Sequence, residues 1–181
     1  MQLIEAKLGQ MNTILDRVLN LARSADPEMK ELDATEVVQE VALLTRTKLA
    51  SARIRVVLKL SPPGLARIRG DRPLLEQAFL NLVLNAMEAM KDGGELRMEV
   101  RDSREEVILA VADSGSGMEK EVAARLFEPF LTRRPGGTGL GLALVRRTVE
   151  AHGGSVRVQS KPGRGTKVEI RLPRAGSSNT V

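Results

Sequence analysis

Apolar residues Ile4, Leu8, Met11, Leu15, Val18 and Ala22 recur at alternating steps of four and three, the seam of a helix that packs on another helix. Ile14, Leu19 and Leu21 widen the stripe, which favours one helix of a bundle over an isolated two-stranded coil. Ser24-Ala25-Asp26-Pro27 ends it, because the residue before a proline avoids helical angles. Such a helix either packs on its own domain or pairs with a partner; being short and bounded by a linker, it is expected to pair. A second helix is predicted over 33–50, with Asp33 as cap, Glu36 in the capping-box place and Val37, Val38, Val41, Leu44 and Leu49 on its apolar face. A third covers 72–91, capped by Asp71, with Pro73 in its first turn and Leu75, Phe79, Leu82, Ala86 and Ala89 inward; Gly93-Gly94 stops it. Strands are predicted at 53–60, around 66–68, at 95–101 and at 106–112. The last of these is a continuous apolar run suited to a fully buried strand. Beyond a Gly- and Pro-rich stretch at 114–138, with a short helix near 119–126, come a helix at 139–151 and strands at 155–160 and 166–172. The last two flank the turn Pro162-Gly163-Arg164-Gly165. The order predicts an α+β fold, a two-layer sandwich of one mixed sheet under a helical layer.

Composition narrows the chemistry. The chain has 181 residues, 42% hydrophobic and 28% charged, enough for one domain with a short appendage. There is no Cys and one His, which excludes disulfides, thiolate metal sites and a Cys nucleophile and disfavours His-cluster metal sites. Trp and Tyr are absent, so the stacking platforms of single-stranded nucleic-acid binders are missing. No apolar run of about 18 residues occurs, and the first residues lack a signal-peptide pattern; a cytosolic location is expected. The net charge of +5 is split into basic blocks at 46–75 and 129–181, read first as solvated surface and without the motifs of a nucleic-acid face.

Four short patterns carry chemistry. Asn81, Asn85 and Glu88 form one polar row at the edge of the third helix's buried face. It is either a solvated row or a set of hard oxygens for Mg²⁺, an ion that takes only one or two protein ligands and leaves the rest to water and phosphates. Asp113-Ser114-Gly115-Ser116-Gly117-Met118 ends the buried strand. It is either a plain turn or a carboxylate for an exocyclic amine, with glycines letting backbone approach a flat ring. Gly136-Gly137-Thr138-Gly139-Leu140-Gly141 opens into a helix, where free N–H groups and the helix dipole attract anions; Arg133 and Arg134 lie just upstream. The loop is neither a Walker nor a Rossmann fingerprint, and its glycines and cations suggest a lid. Gly163-Arg164-Gly165-Thr166 serves as a hairpin turn, and its Thr hydroxyl is also suited to support a purine.

Taken in order, these patterns resemble the boxes of sensor histidine kinases: Asn81 to Met90 the N box, Asp113 to Met118 the G1 box, Phe127-Glu128-Pro129-Phe130 the F box and Gly137 to Leu142 the G2 box. Residues 33–174 resemble the ATP-binding catalytic domain of the Bergerat (GHKL) superfamily, with the short lid of nitrogen-regulator-type kinases. The resemblance implies a Mg²⁺ ligand in Asn85, with Asn81 beside it and Glu88 near the phosphates. It implies an adenine acceptor in Asp113, supported by Gly115, Gly117 and Thr166. Phosphate would be held by backbone at Gly137, Thr138, Gly139, Leu140 and Gly141 and by Arg133 and Arg134. Phe127 and Phe130 would anchor the lid. Many members place an aromatic ring where this chain has Ala89, so aliphatic packing from Met118 is expected against the base. Hydrolytic relatives carry Glu where Asn81 stands; an amide cannot take a proton from water, so ATP is expected to be held for transfer rather than hydrolysed.

A kinase of this family needs a phosphoacceptor His on a dimerisation helix. The only His is His152, at the end of the helix after the G2 box, where the dipole favours a partly cationic ring; it reads as structural. Residues 1–25 resemble the second dimerisation helix, 26–32 a linker, and 175–181 a disordered tail. The chain is therefore expected to be a fragment, the cytosolic part of a membrane-bound sensor, that binds Mg-ATP and does not phosphorylate itself. Its expected partners are an acceptor-His domain, a response regulator and a second copy paired through residues 1–24, with no nucleic acid and no membrane segment. The alternative is a serine/threonine kinase of the anti-sigma class, which shares the fold.

Overall fold

A computed structural model describes residues 27–131 and 139–176. The expected helix at 1–25 and the tail from 177 lie outside the described residues. The chain enters as strand β1 (Lys30–Asp33), then α1 (Ala34–Ser51), β2 (Ile54–Lys59), β3 (Arg67–Gly70) and α2 (Arg72–Ala89). It continues through β4 (Gly94–Asp102), β5 (Glu106–Asp113), the short α3 (Lys120–Ala124), α4 (Gly141–Ala151), β6 (Ser155–Ser160) and β7 (Thr166–Pro173). Five strands form one mixed sheet in the order β2-β4-β5-β7-β6. Only β2–β4 is parallel. The sandwich expected from the pattern is present.

Four features differ from the sequence reading: first, Leu44, expected on the apolar face of α1, is 64% exposed. The expected linker 26–32 ends in β1, which pairs antiparallel with β3 as a separate two-stranded sheet. Glu36 does not close a capping box; its carboxylate pairs with Arg72 across the helices at 2.9 Å, a charged partner outcompeting a local backbone bond. Asp33 does cap α1, accepting from the Thr35 N–H, and its other oxygen accepts from Gly64 N–H at 2.6 Å. Helix α4 starts at Gly141 rather than 139.

The sheet has two unlike faces. Val107, Leu109 and Val111 of β5 and Val168, Ile170 and Leu172 of β7 point under the helices, against Val38, Val41, Leu75, Phe79 and Val149. On the opposite face Ile108 and Ala110 are also buried, and their cross-strand neighbours are charged: Arg101 and Arg171 beside Ile108, Glu99 and Glu169 beside Ala110. Glu169, 8% exposed, binds Lys167, Arg101 and Arg171 at 2.9, 2.6 and 3.1 Å. The Lys167 ammonium, then Arg171 and Arg101, hold its carboxyl down to about 2. The alkyl stems of such residues cover the apolar centre while their heads pair.

Candidate functional site

Helices α2 and α4 run antiparallel and are joined by polar bonds at both ends. At one end the buried Asn81 donates from Nδ2 to the Gly141 carbonyl at 3.3 Å. At the other, His152 Nε2 accepts the Asp71 N–H at 2.9 Å, while Nδ1 meets the Thr148 carbonyl at 2.7 Å. Both ring nitrogens of the buried His152 are therefore engaged within the helix pair. The ten-residue step from Asp71 to Asn81 thus matches the eleven-residue step from Gly141 to His152, a length of about 15–16 Å.

The N-box row is split by burial. Asn81 is buried; its Oδ1 accepts from Gln77 at 3.4 Å. Asn85 is exposed and turns its Nδ2 back to the Asn81 carbonyl at 2.9 Å. That leaves the Asn85 Oδ1 facing outward with no partner among the described residues, a hard oxygen of the kind Mg²⁺ accepts. Glu88 follows one turn on, exposed.

The end of β5 forms the second cluster. Asp113 is half-buried, and its Oδ1 accepts the N–H groups of Gly115 at 2.8 Å and Thr166 at 3.3 Å. Its Oδ2 has no partner among the described residues. Burial pushes the Asp113 carboxyl above its ordinary value, against the pull of the Gly115 and Thr166 N–H groups. The two glycines of this loop have a packing role as well as the one expected. A Cβ on Gly115 would lie 2.5 Å from the Ala89 carbonyl oxygen, and one on Gly117 would strike the Lys161 carbonyl. Gly117 also sits at φ +62°. The missing side chains admit protein backbone: the loop is laid against the end of α2 and against the β6–β7 hairpin. Two further bonds fix it, Ser116 N–H to Ala89 O at 3.1 Å and Gly163 N–H to Ser116 O at 2.7 Å.

Sequence reasoning missed Ser160. Its Oγ accepts the Met118 N–H at 2.9 Å and contacts Gly165 O at 3.2 Å and Thr166 Oγ1 at 2.9 Å. The signal was available: Val156, Val158 and Ser160 share one phase of β6, so a polar side chain sits on the inward face beside the turn.

At the lid, Gly139 accepts the Phe130 N–H at 3.1 Å, and Leu140 is buried in the core at 1% exposure. No side chain caps the start of α4, and the positive end of a helix dipole attracts anions. Phe127 packs against the core, whereas the Phe130 ring is 71% exposed; its backbone, not its ring, is held. Arg133, Arg134, Gly137 and Thr138 lie outside the described residues.

A half-buried carboxylate at one end of α2, an amide at its middle and a helix start without a side-chain cap gather over one mixed sheet. The chain belongs to the histidine kinase-, DNA gyrase B- and HSP90-like ATPase family, whose model matches residues 70–176. Within that family it is similar to the catalytic domains of sensor histidine kinases. Sensor histidine kinase ZraS of Klebsiella oxytoca is 36% identical over 92% of this chain and 36% of its own length. Full-length ShkA, solved in complex with AMPPNP, matches with a TM-score of 0.81 at 27% identity, over 92% of this chain and 36% of that one. The catalytic domain of histidine kinase ThkA matches at 0.74 and 29%, over 81% of this chain and 96% of that one. ThkA in complex with response regulator protein TrrA matches at 0.80 and 25%, over 96% and 50%. The chain spans about a third of the length of its curated relative ZraS. Among the described residues no helix is long and apolar enough to cross a membrane.

Proposed function

We propose that the chain holds Mg-ATP between α2, the Asp113 loop and the start of α4, and presents its γ-phosphoryl group to a histidine on a separate dimerisation domain, for relay to a response-regulator aspartate. The observation that carries the reading is Asp113: one oxygen is fixed by two backbone N–H groups and the other is left open, an acceptor set for the adenine amine. Asn85, with its outward Oδ1, is the proposed metal ligand, with Asn81 beside it and Glu88 on the phosphate side. Gly115, Gly117, Met118 and Thr166 shape the base end. Gly137, Thr138, Gly139, Leu140 and Gly141 offer backbone N–H groups to the phosphates, and Arg133 and Arg134 supply positive charge there. Mg²⁺ would neutralise phosphate charge during transfer, which otherwise asks mainly for positioning.

Asn81 supports transfer over hydrolysis, since its amide is committed to Gly141 and Gln77 and cannot accept a proton from water. His152 is buried with both ring nitrogens engaged, so it is no acceptor and this chain does not phosphorylate itself. ThkA with TrrA is the precedent for a response-regulator partner. Residues 1–25 are proposed to pair with a dimerisation helix, a second copy included.

The test is γ-labelled ATP offered to the full chain alone, with a histidine-kinase dimerisation domain, and with a Ser-containing antagonist protein. Acid-labile label on the second acceptor is expected. Label on the Ser protein would instead establish the anti-sigma-type kinase. In calorimetry, Asn85→Ala should abolish the Mg²⁺ dependence of ADP binding, and retained dependence would reject it as ligand.

A further inference from the structure

Asp113, Thr166 and Ser160 stand side by side across three strands. Asp113 is paired in register with Thr166, and Thr166 with Ser160. Cross-strand partners in an antiparallel pair share a face, so the three side chains line the base end of the site in one row. A serine hydroxyl has one proton and two lone pairs. The Met118 N–H can only donate to it, at 2.9 Å. The Gly165 carbonyl can only accept, at 3.2 Å. The 2.9 Å contact with Thr166 Oγ1 admits either hydroxyl as donor; with the Ser160 proton on Gly165, the remaining lone pair takes the Thr166 proton. In that arrangement every hydrogen-bonding capacity of Ser160 is used, and the Thr166 hydroxyl spends its proton inward.

We infer that Ser160 is a positioning residue that sets purine specificity: by absorbing the Thr166 proton it leaves that hydroxyl an acceptor beside the open Asp113 Oδ2, so the base end accepts from a 6-amino purine and rejects a 6-oxo purine. The inference rests on the nucleotide reading above. A 6-oxo purine brings a lone pair to the place where an amine brings N–H, and two acceptors face to face leave both unpaired. Ser160 does not itself touch the nucleotide.

The test is calorimetric titration of the full chain with Mg-ADP and with Mg-IDP (hypoxanthine base). The wild-type chain should prefer ADP. Ser160→Ala frees the Thr166 hydroxyl to rotate and donate, so the preference should fall by roughly three- to tenfold, about one hydrogen bond. The same change in a Thr166→Val background should leave the preference where it was, because no hydroxyl remains to be redirected. An unchanged preference in Ser160→Ala, or an equal loss in the Thr166→Val background, would overturn the assignment; the latter would mark Ser160 as a mere brace. Should Ser160→Ala fail to fold by circular dichroism, Thr166→Val alone decides: it removes the same acceptor and must also lower the preference, and no change sinks the proposal. Failure of the wild type to bind either nucleotide would remove the nucleotide reading and this role with it, whereas tight ADP binding with an indifferent Ser160→Ala would sink this role alone.

Discussion

Two carboxylates on opposite faces of one sheet are shifted in opposite directions. Asp113, on the helix side, is raised by burial with only two backbone N–H groups to offset it. Glu169, on the other side, is held down to about 2 by Lys167, Arg171 and Arg101. They sit on neighbouring strands, three residues apart in register along β7. The difference is one of partners. The outer face surrounds its anion with cations, which is what stability asks for. The inner face leaves its anion half satisfied, with an open oxygen, which stability would not choose and a ligand site requires.

The sharpest way to break this contrast is to neutralise each carboxylate in turn. Asp113→Asn should weaken ADP binding by roughly 100-fold, about 2–3 kcal/mol, the loss expected when a charged acceptor becomes an amide whose NH₂ faces another donor. Its thermal stability should hold within about 1 kcal/mol, since the desolvated charge is removed while the amide oxygen still accepts from the Gly115 and Thr166 N–H groups. Glu169→Gln should do the reverse: a destabilisation of about 1–2 kcal/mol as three cations on one face lose their common partner, with ADP affinity unchanged. Calorimetry and urea unfolding read the two effects separately. If Asp113→Asn unfolds the chain, or Glu169→Gln impairs ADP binding, the division of labour between the faces is wrong.

Much of this division is legible in the sequence, and the limits are physical. The apolar run Val107–Val111 reads as a doubly buried strand, and it is one. The polar row of α2 is visible from helical spacing, but not that Asn81 would be buried and Asn85 exposed; that split comes from α4 lying over the first of them. Strand β1 was read as linker because Lys30-Glu31-Leu32-Asp33 has too few apolar residues to alternate, and it exists only through its pairing with β3. The glycines of the Asp113 loop are conspicuous, yet their reason is tertiary: the backbone they admit belongs to α2 and to a hairpin some 45 residues later in the chain. Ser160 was overlooked for the same cause, since its three partners meet it only once the hairpin closes.

Acidification is the finest probe of the contrast, because the two groups are shifted in opposite directions from the ordinary carboxylate range. Asp113 has its carboxyl raised above 3.8, so the folded chain takes up this proton at a higher pH than a free aspartate would. Once it is on, the carboxyl no longer offers the base an ionised acceptor, and ADP affinity should begin to fall above the ordinary aspartate range. Glu169 is depressed from 4.5 to about 2. Its stabilising contribution is complete above about 4.5 and drains away as pH falls from there towards 2. Nucleotide binding should therefore be lost before stability, leaving an interval in which the chain is folded but no longer binds ADP. Titrations of ADP alongside tripolyphosphate, which has no amine to offer Asp113, separate the base from the phosphates' own protonation. Thermal melts across the same range follow Glu169, and the acid limb should flatten in Glu169→Gln. Loss of binding and of folding at one common pH would mean that a single group governs both, and the two faces would not be independent.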